Sequence, residues 1–303
     1  MKPTLRNIAR IASIVSIFGV AACGGGSSSS TTSAPPVAVT PPVTPVTPTA
    51  PAIPSGGIPA GWKLVWADEF DKDGLPDANK WDYDTSRNKA GWFNNELQYY
   101  SRDRLENARV ANGKLIITAL KENLTSAADY GGQPYTSSRM LTRGKASWTY
   151  GFFEIRAKLP CGLGTWPAIW MLGTKGVWPD DGEIDIMEHV GKTKGQILGS
   201  AYSAAYNWNV GTGNTKQTTV SDACDVFHNY QLRWDENQLV IGVDDKYYFQ
   251  FVNPKDGDYR KWPFSSPQYL LLNLAIGGDL GGPVDNTIFP TQMEVEYVRI
   301  YQQ

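Results

Sequence analysis

The 303-residue sequence has little net charge and only two histidines. Its formal net charge is −2 at pH 7 and its pI is near 5.8, so it lacks the basic field that nucleic-acid binding requires. The same balance argues weakly against highly sulfated polysaccharides and fits a neutral partner better. The histidines, His189 and His228, are predicted to be structural. His189 follows Glu188, and neighbouring residues on a strand point to opposite faces.

The N-terminus has an apolar stretch, residues 11–22, that is too short to span a membrane as a helix. It follows a basic segment without acidic residues, which is the pattern of a signal peptide over residues 1–22. The stretch ends in Val20-Ala21-Ala22-Cys23, which resembles a bacterial lipobox. In that interpretation Cys23 is lipidated and becomes the first residue of the mature chain. Ordinary cleavage after Ala22 is the alternative.

This N-terminus predicts an extracytoplasmic protein that is lipid-anchored to a bacterial membrane. Gly24 after the cysteine favours the outer membrane by analogy, and secretion is the alternative. Residues 24–57 are rich in Ser, Thr and Pro and predict an extended tether without a core of its own. The anchor is the only membrane contact that we expect.

Residues 58–303 predict a single all-β domain, because strand-like runs alternate with clusters of Gly, Asn, Asp and Pro. We find neither an internal repeat nor a long amphipathic helix in this part of the sequence. About 245 residues is large for one domain but normal for a β-sandwich. The predicted strands are residues 64–66, 114–119, 151–158, 183–188, 230–234, 239–243, 247–251, 269–275 and 293–301.

The most informative segment has three carboxylates, Glu183, Asp185 and Glu188, within six positions of an apolar strand-like run. Crowded carboxylates beside buried apolar residues repel one another and resist ionisation, so packing alone does not explain them. Hydrolysis by a retaining glycosidase does, because it needs one carboxylate as nucleophile and a second as acid and then base. A solvated sheet face is the other interpretation, and the tryptophan-rich block at residues 164–172 disfavours it.

Strand geometry adds a constraint to this segment. Residues two apart share a face, so Glu183 and Asp185 point the same way while Glu188 has the wrong parity. A β-bulge between Asp185 and Glu188 restores the parity, and bulges are frequent beside active sites. Inward-leaning side chains would then bring the two glutamate carboxyls toward the separation of about 5–5.5 Å that retention requires. We therefore predict retention of configuration.

Several blocks in a fixed order make the sequence resemble glycoside hydrolase family 16, on the side of the bacterial endo-β-1,3-glucanases (laminarinases). The similarity runs from about Trp62 to Gln303. The blocks are Leu64–Phe70, Asn94–Tyr100, Glu106–Val110, Arg143–Lys145, Gly164–Leu172, Glu183–Glu188, Leu270–Gly278 and Met293–Tyr301. The resemblance implies a two-sheet β-jelly-roll sandwich of the concanavalin A type, with a substrate cleft on its concave face.

Carried over by position, the family roles make Glu183 the nucleophile, Glu188 the acid/base and Asp185 the residue that orients the nucleophile. The implied function is a retaining, endo-acting hydrolysis of β-1,3-glucan. A mixed-linkage β-1,3-1,4-glucanase or a galactan hydrolase is the alternative within the family. A surface-tethered glucan-binding protein is the alternative from another class, although binding alone has no need for glutamates that repel each other.

The resemblance also implies residues that bind the glucan. Asn95 and Arg139 match positions that donate hydrogen bonds to sugar hydroxyls on the non-reducing side, and Trp166 and Trp178 match stacking platforms. Trp170 is expected to be partly structural. Where relatives have a histidine in the cleft near the acid/base, this chain has Tyr202. A tyrosine can stack and donate a hydrogen bond but cannot exchange a proton near neutral pH, so the usual substrate and pH profile are in doubt.

No cofactor is implied for catalysis. Family members often hold a structural calcium ion, for which Glu69, Gly113 and Glu296 are the candidates here, although relatives usually have Asp at the last position. Lipidation of Cys23 would leave Cys161 and Cys224, which either form a disulfide or remain buried thiols. We expect a monomer whose partner is a β-glucan.

Overall fold

The computed structural model describes residues 56–303. The predicted signal peptide, Cys23 and all but the last two residues of the predicted tether therefore lie outside the described residues. Within that range the chain forms seventeen β-strands, one four-residue α-helix and three short 3-10 helices. No helix among these residues is long and apolar enough to cross a membrane. The predicted all-β class is confirmed.

The strands follow one another along the chain with short helical turns between some of them. They are β1 (Lys63–Asp68), β2 (Asp82–Tyr83), β3 (Gln98–Tyr100), β4 (Ala108–Val110), β5 (Leu115–Ala119), β6 (Tyr135–Ser137), β7 (Arg139–Leu141), β8 (Gly151–Lys158), β9 (Thr165–Gly173), β10 (Glu183–His189), β11 (Gln196–Tyr202), β12 (Asn214–Thr219), β13 (His228–Trp234), β14 (Gln238–Val243), β15 (Lys246–Val252), β16 (Gln268–Ile276) and β17 (Thr291–Gln302). The helices are α1 (Gly278–Gly281) and the 3-10 turns Phe93–Asn95, Trp208–Val210 and Asn286–Ile288.

Two antiparallel sheets form the jelly roll that the family resemblance implied. The first has eight strands in the order β15-β14-β13-β8-β17-β5-β4, with β1 also paired to β17. The second has seven strands in the order β12-β11-β10-β9-β16-β7-β2. A small parallel pair, β3 with β6, lies outside both sheets. The carboxylate strand β10 is thus near the middle of the second sheet.

The core lies between the two sheets because each strand has one apolar face. On β10, Ile184, Ile186 and Met187 are fully buried in the same hydrophobic cluster as Leu270 and Leu272 of β16. Acidic side chains of β10 point away from this cluster, toward the open face of the second sheet. The alternation of apolar and polar residues therefore decides which face carries the carboxylates.

All nine predicted strands occur in the structure, within about three residues of the predicted ends. Eight strands were not predicted: β2, β3, β4, β6, β7, β9, β11 and β12. The sequence of β12, Asn-Thr-Lys-Gln-Thr-Thr, has no apolar alternation because this strand lies at the edge of its sheet and is largely exposed. Its position next to β11 extends the sheet beyond the carboxylates.

Candidate active site

A β-bulge in β10 brings the three carboxylates to one face. Asp185 is paired with Ser200 of β11, and the next pair is Glu188 with Leu198, so three steps on β10 match two on β11. The register with β9 shifts in the same place. The predicted bulge is therefore present, and the extra residue corrects the parity of Glu188. Ile186 and Met187, the two residues within the bulge, lie in the core, while Glu188 faces the cleft.

Each glutamate accepts a hydrogen bond from a different tryptophan. Trp178 Nε1 donates to Oε2 of Glu183, and Trp166 Nε1 donates to Oε1 of Glu188 at 3.0 Å. The two donors differ in surroundings, because Trp166 is buried and Trp178 is 38% exposed. Asp185 lies between the glutamates in sequence and shares a hydrogen bond with Glu183.

Burial raises the pKa of all three carboxyls, and repulsion by neighbouring carboxylates adds to the rise for Asp185 and Glu188. Burial, and then the charges of Glu183 and Glu188, hold the pKa of Asp185 well above its usual range. Burial and the charge of Glu183 raise the pKa of Glu188 to about 7, against the opposing effect of the Trp166 hydrogen bond. Burial also raises the pKa of Glu183, although hydrogen bonds from Trp178 and Asp185 oppose it.

This electrostatic pattern suits acid/base and nucleophilic work by two glutamates. A carboxyl with a pKa near 7 can donate a proton at neutral pH and accept it back afterwards. The other glutamate has an indole donor and a neighbouring carboxyl that both favour its ionised form. The two glutamates therefore have the unequal surroundings by which a glycoside hydrolase distinguishes its acid from its nucleophile.

Comparison with known proteins agrees with this chemistry. The sequence profile of glycosyl hydrolases family 16 matches residues 95–299. The chain belongs to this family. It is 50% identical over 252 residues to a β-glucanase of Rhodothermus marinus, covering 80% of this chain and 85% of that protein. It is therefore a hydrolase of O-glycosyl bonds.

Two solved structures are also similar to this family 16 chain. One is a mutant of SCLam, a non-specific endo-β-1,3(4)-glucanase, with an oligosaccharide at its active site. The two sequences are 53% identical and the structures superimpose with a TM-score of 0.81. The match covers 84% of this chain and 100% of that chain. The other is a laminarinase from Rhodothermus marinus, 49% identical with a TM-score of 0.75, covering 80% of this chain and 97% of that one. The comparisons support catalysis more than binding alone.

In this family 16 hydrolase, Arg139 lies between two indole rings on the β7 side of the cleft. Its guanidinium carbon is 5.2 Å from the ring centre of Trp92 and 4.6 Å from that of Trp170. Its Nε is 3.2 Å from Oδ2 of Asp84, and its charge opposes the rise in the pKa of Glu183. Trp170 is half-buried and donates from Nε1 to Asn273 at 2.7 Å, which agrees with the expected partly structural role.

Asn95 and Tyr202 lie at different places around the cleft. Asn95 is exposed on the turn before β3, and its amide donates to Asp279 at 2.7 Å, so the described contacts connect it to α1 and not to the carboxylates of β10. Tyr202 is paired with Glu183 across β10 and β11, whereas Glu188 is paired with Leu198. The register thus places Tyr202 opposite the predicted nucleophile, and the charge of Glu188 also acts on its hydroxyl, so its expected place near the acid/base stays a prediction. Burial, then the charges of Asp185 and Glu188, raise the pKa of Tyr202 to about 12.

The sequence did not point to two residues of the site. One is Glu96, which accepts hydrogen bonds from Gln98 at 2.8 Å and from Tyr100 at 3.3 Å. Burial raises the pKa of Glu96, and its charge contributes to the raised pKa of Glu188. Its place in a recognised block, just before a buried strand, was the available signal. Trp208 is 60% exposed, with its ring centre 5.7 Å from that of Trp178. An isolated tryptophan in a polar loop gave no signal of that contact.

The residues suggested for calcium already have cationic partners. Arg299 donates two hydrogen bonds to Glu69, both of 2.8 Å, and Arg156 Nε donates to Glu296 at 2.6 Å. Gly113 lies in the turn before β5. In this arrangement the three residues do not fit a calcium site, because an arginine neutralises each carboxylate that would bind the ion.

The cysteines and histidines lie away from the cleft face. Cys161 and Cys224 form a disulfide, with Cα atoms 5.8 Å apart, that closes a loop containing β9, β10, β11 and β12. His189 is fully buried, its Nε2 accepts from the amide of Gly195 at 3.1 Å, and burial lowers its pKa to about 4. His228 Nδ1 is 2.6 Å from Asp244. Both histidines therefore have structural contacts, and neither has a hydrogen bond to Glu183, Asp185 or Glu188 among the described residues.

Replacing Asp185 by Asn should stabilise the protein more at pH 8 than at pH 5. The raised pKa means that the folded protein keeps a proton which the unfolded chain has released. The stability linked to that proton is present at low pH and is lost as the pH rises through the folded-state pKa. We expect the melting temperature to increase by about 2–6 °C at pH 8 and by less at pH 5. Asp71→Asn, at an exposed position, is the control. An equal decrease at both pH values would contradict the repulsion argument.

Proposed function

We propose that this protein is a retaining endo-β-1,3-glucanase that uses Glu183 as nucleophile and Glu188 as acid/base. The observation that carries the proposal is the β10 bulge, which places the two glutamates on one face with different hydrogen-bond partners and a shared neighbour, Asp185. The similar β-glucanase, laminarinase and endo-β-1,3(4)-glucanase support a β-glucan as substrate. No cofactor takes part in the reaction.

In the first step Glu183 attacks the anomeric carbon while Glu188 gives its proton to the leaving glycosidic oxygen. The carbon–oxygen bond of the glucan breaks, a glycosyl ester forms on Glu183, and the shortened glucan leaves as an alcohol. The neighbourhood of Glu188 prepares it for this role, because burial and the charge of Glu183 keep it protonated up to a pH of about 7. Arg139 and the Trp178 N–H favour ionised Glu183.

In the second step the ionised Glu188 takes a proton from water, and the resulting nucleophile hydrolyses the ester. Two inversions at the same carbon give net retention. Asp185 orients Glu183 through their shared hydrogen bond, and the charge of Glu183, once it is released from the ester, helps Glu188 keep its recovered proton. The cycle ends with both glutamates in their starting protonation states.

A mixed-linkage β-1,3-1,4-glucanase is the second candidate. The specific observation in its favour is the 53% identity to an enzyme described as a non-specific endo-β-1,3(4)-glucanase. The same carboxylates would perform the same chemistry on either linkage. A galactan hydrolase and a glucan-binding protein have less support from the described contacts.

Laminarin digestion tests the function. Wild-type protein should release short β-1,3-oligosaccharides whose new reducing ends are first formed as the β-anomer, as followed by proton NMR. Glu188→Gln should lower the rate by at least about 10²-fold, because general acid catalysis is lost. Glu106→Gln is the matched control, since its side chain is 61% exposed. The proposal fails if the wild type releases no product from laminarin or mixed-linkage glucan, and initial formation of the α-anomer would overturn retention.

Trp166→Phe should move the alkaline limb of the kcat/KM profile to higher pH. The Trp166 N–H stabilises the ionised form of Glu188, so removing it raises the pKa of Glu188 and keeps the acid protonated for longer. A pH–rate profile on a chromogenic β-1,3-glucoside measures the limb. Trp262→Phe is the control, because that indole packs on Phe251 and Phe264. An unchanged or lowered limb for Trp166→Phe would contradict the assignment of Glu188 as acid.

We further propose that the chain is exported by its signal peptide and anchored to a bacterial outer membrane through lipidated Cys23, as a monomer. Support comes from the lipobox-like sequence and the polar tether that follows it. Cys23→Ser should shift the protein from the membrane fraction to the soluble fraction of fractionated cells, and light scattering should give one chain per particle. A wild-type protein found wholly in the culture medium would instead support secretion.

A further inference from the structure

Two exposed tryptophans lie close to Glu183, one bonded to it and the other packed on the first. Trp178 is 38% exposed and Trp208 is 60% exposed, with ring centres 5.7 Å apart and an angle of 33° between the ring planes. Trp178 donates a hydrogen bond to Glu183. Trp208 is therefore one indole ring away from the predicted nucleophile, yet none of the steps of the mechanism uses it.

The loop that carries Trp208, residues 203–213, is held by its own hydrogen bonds. Asn207 is buried, its amide donates to Ser203 O at 2.9 Å, and its Oδ1 accepts from Asn209 N at 3.0 Å. Thr212 Oγ1 donates to Ala205 O at 2.8 Å. These bonds fix the backbone while leaving the indole in solvent. A ligand that stacks on Trp208 would thus meet a ring that is already positioned, which reduces the entropy lost on binding.

Each ring has an exposed valine close to it in the sequence. Val177 precedes Trp178 and is 53% exposed, and Val210 lies on the same 3-10 turn as Trp208 and is 60% exposed. Single exposed apolar residues are ordinary, but two exposed indoles in contact, one of them bonded to Glu183, indicate a binding surface. Indole faces of this kind complement the apolar faces of pyranose rings.

Two hydroxyl groups, those of Tyr202 and Thr215, lie near the indoles, where they could bond to the hydroxyl groups of a sugar. Tyr202 lies across from Glu183, and its hydroxyl is 2.9 Å from Oγ1 of Thr215 on β12. A Cβ atom added at Gly213 would lie 3.6 Å from the Tyr202 ring and 3.7 Å from the backbone nitrogen of Trp208, so the tyrosine and the loop are adjacent. A sugar on the indoles could therefore also hydrogen-bond to hydroxyl groups.

The surface lies on one side of the carboxylates and Arg139 lies on the other. Trp208 follows β11 and Thr215 belongs to β12, whereas Arg139 is on β7, beyond β9 and β16. We propose that Trp208, together with Trp178 and Tyr202, forms an additional glucosyl-binding subsite on the β11–β12 side, which holds a ring of a β-glucan chain that extends past the reacting bond. This inference rests on the proposed function and adds a chain-length requirement to it.

Kinetics on laminarihexaose test the subsite. Trp208→Ala should raise KM about 3- to 10-fold, with kcat changed by less than about twofold, and should move the preferred cleavage position in end-labelled hexaose. Trp208→Phe keeps an aromatic face and should recover most of the loss. Leu64→Ala, at a position that is 52% exposed on β1, controls for loss of surface apolar area. Wild-type KM and cleavage pattern in Trp208→Ala would overturn the subsite while leaving the proposed function intact.

A binding measurement keeps the two proposals separate. In full-length protein carrying Glu188→Gln, calorimetric titration should show weaker binding of laminarihexaose when Trp208→Ala is added, with little change for laminaribiose. Equal affinities for the hexaose would overturn the subsite. Absence of glucan hydrolysis by the wild type would refute the proposed function, and the titration would still decide whether Trp208 binds a glucan.

Discussion

The bulge in β10 is the feature on which the rest of the site depends. Side chains alternate along a regular strand, so a regular β10 would have turned Glu188 inward, among the residues that form the core between the sheets. An unpaired carboxylate buried there would cost several kcal/mol. The inserted residue lets Ile186 and Met187 both pack in the core and returns Glu188 to the face of Glu183 and Asp185. Core packing and cleft chemistry are thereby compatible within seven residues of strand.

Bringing three carboxyls to one face creates repulsion. Each glutamate has an indole N–H donor that favours its ionised form, but the two donors differ in exposure to water. Trp166 is buried, so Glu188 bonds to a donor shielded from water, and the pKa of Glu188 remains high despite that bond. Glu183 has an additional favourable interaction with the charge of Arg139 from across the cleft. The two glutamates differ because their surroundings differ, since their chemistry is otherwise the same.

Local pattern was enough to predict nine of the seventeen strands, the carboxylate cluster and the bulge, because each of these depends on alternation within a few residues. Contacts between distant segments were not predictable in this way. Arg299 and Glu69 are 230 residues apart in the sequence, and Arg156 and Glu296 are 140 apart, so the ion pairs that occupy the expected calcium residues could not be inferred from either segment alone. Similarly, the contact between Trp178 and Trp208 joins two loops that the sheet order brings together.

Because Tyr202 cannot exchange a proton near neutral pH, other residues of the cleft must carry out the proton transfers. Its pKa of about 12 means that it keeps its proton throughout the neutral range, so it can hold a hydroxyl group but cannot relay a proton. The two histidines are placed elsewhere, in contact with a backbone amide and with Asp244. Among the described residues that line the cleft, proton transfer near neutral pH therefore falls to the carboxyl cluster itself. Because the members of that cluster repel one another, protonation of one changes the affinity of the next for its proton. The pH dependence of the reaction is consequently a property of the three carboxyls together, and it is set by the strand geometry that holds them on one face.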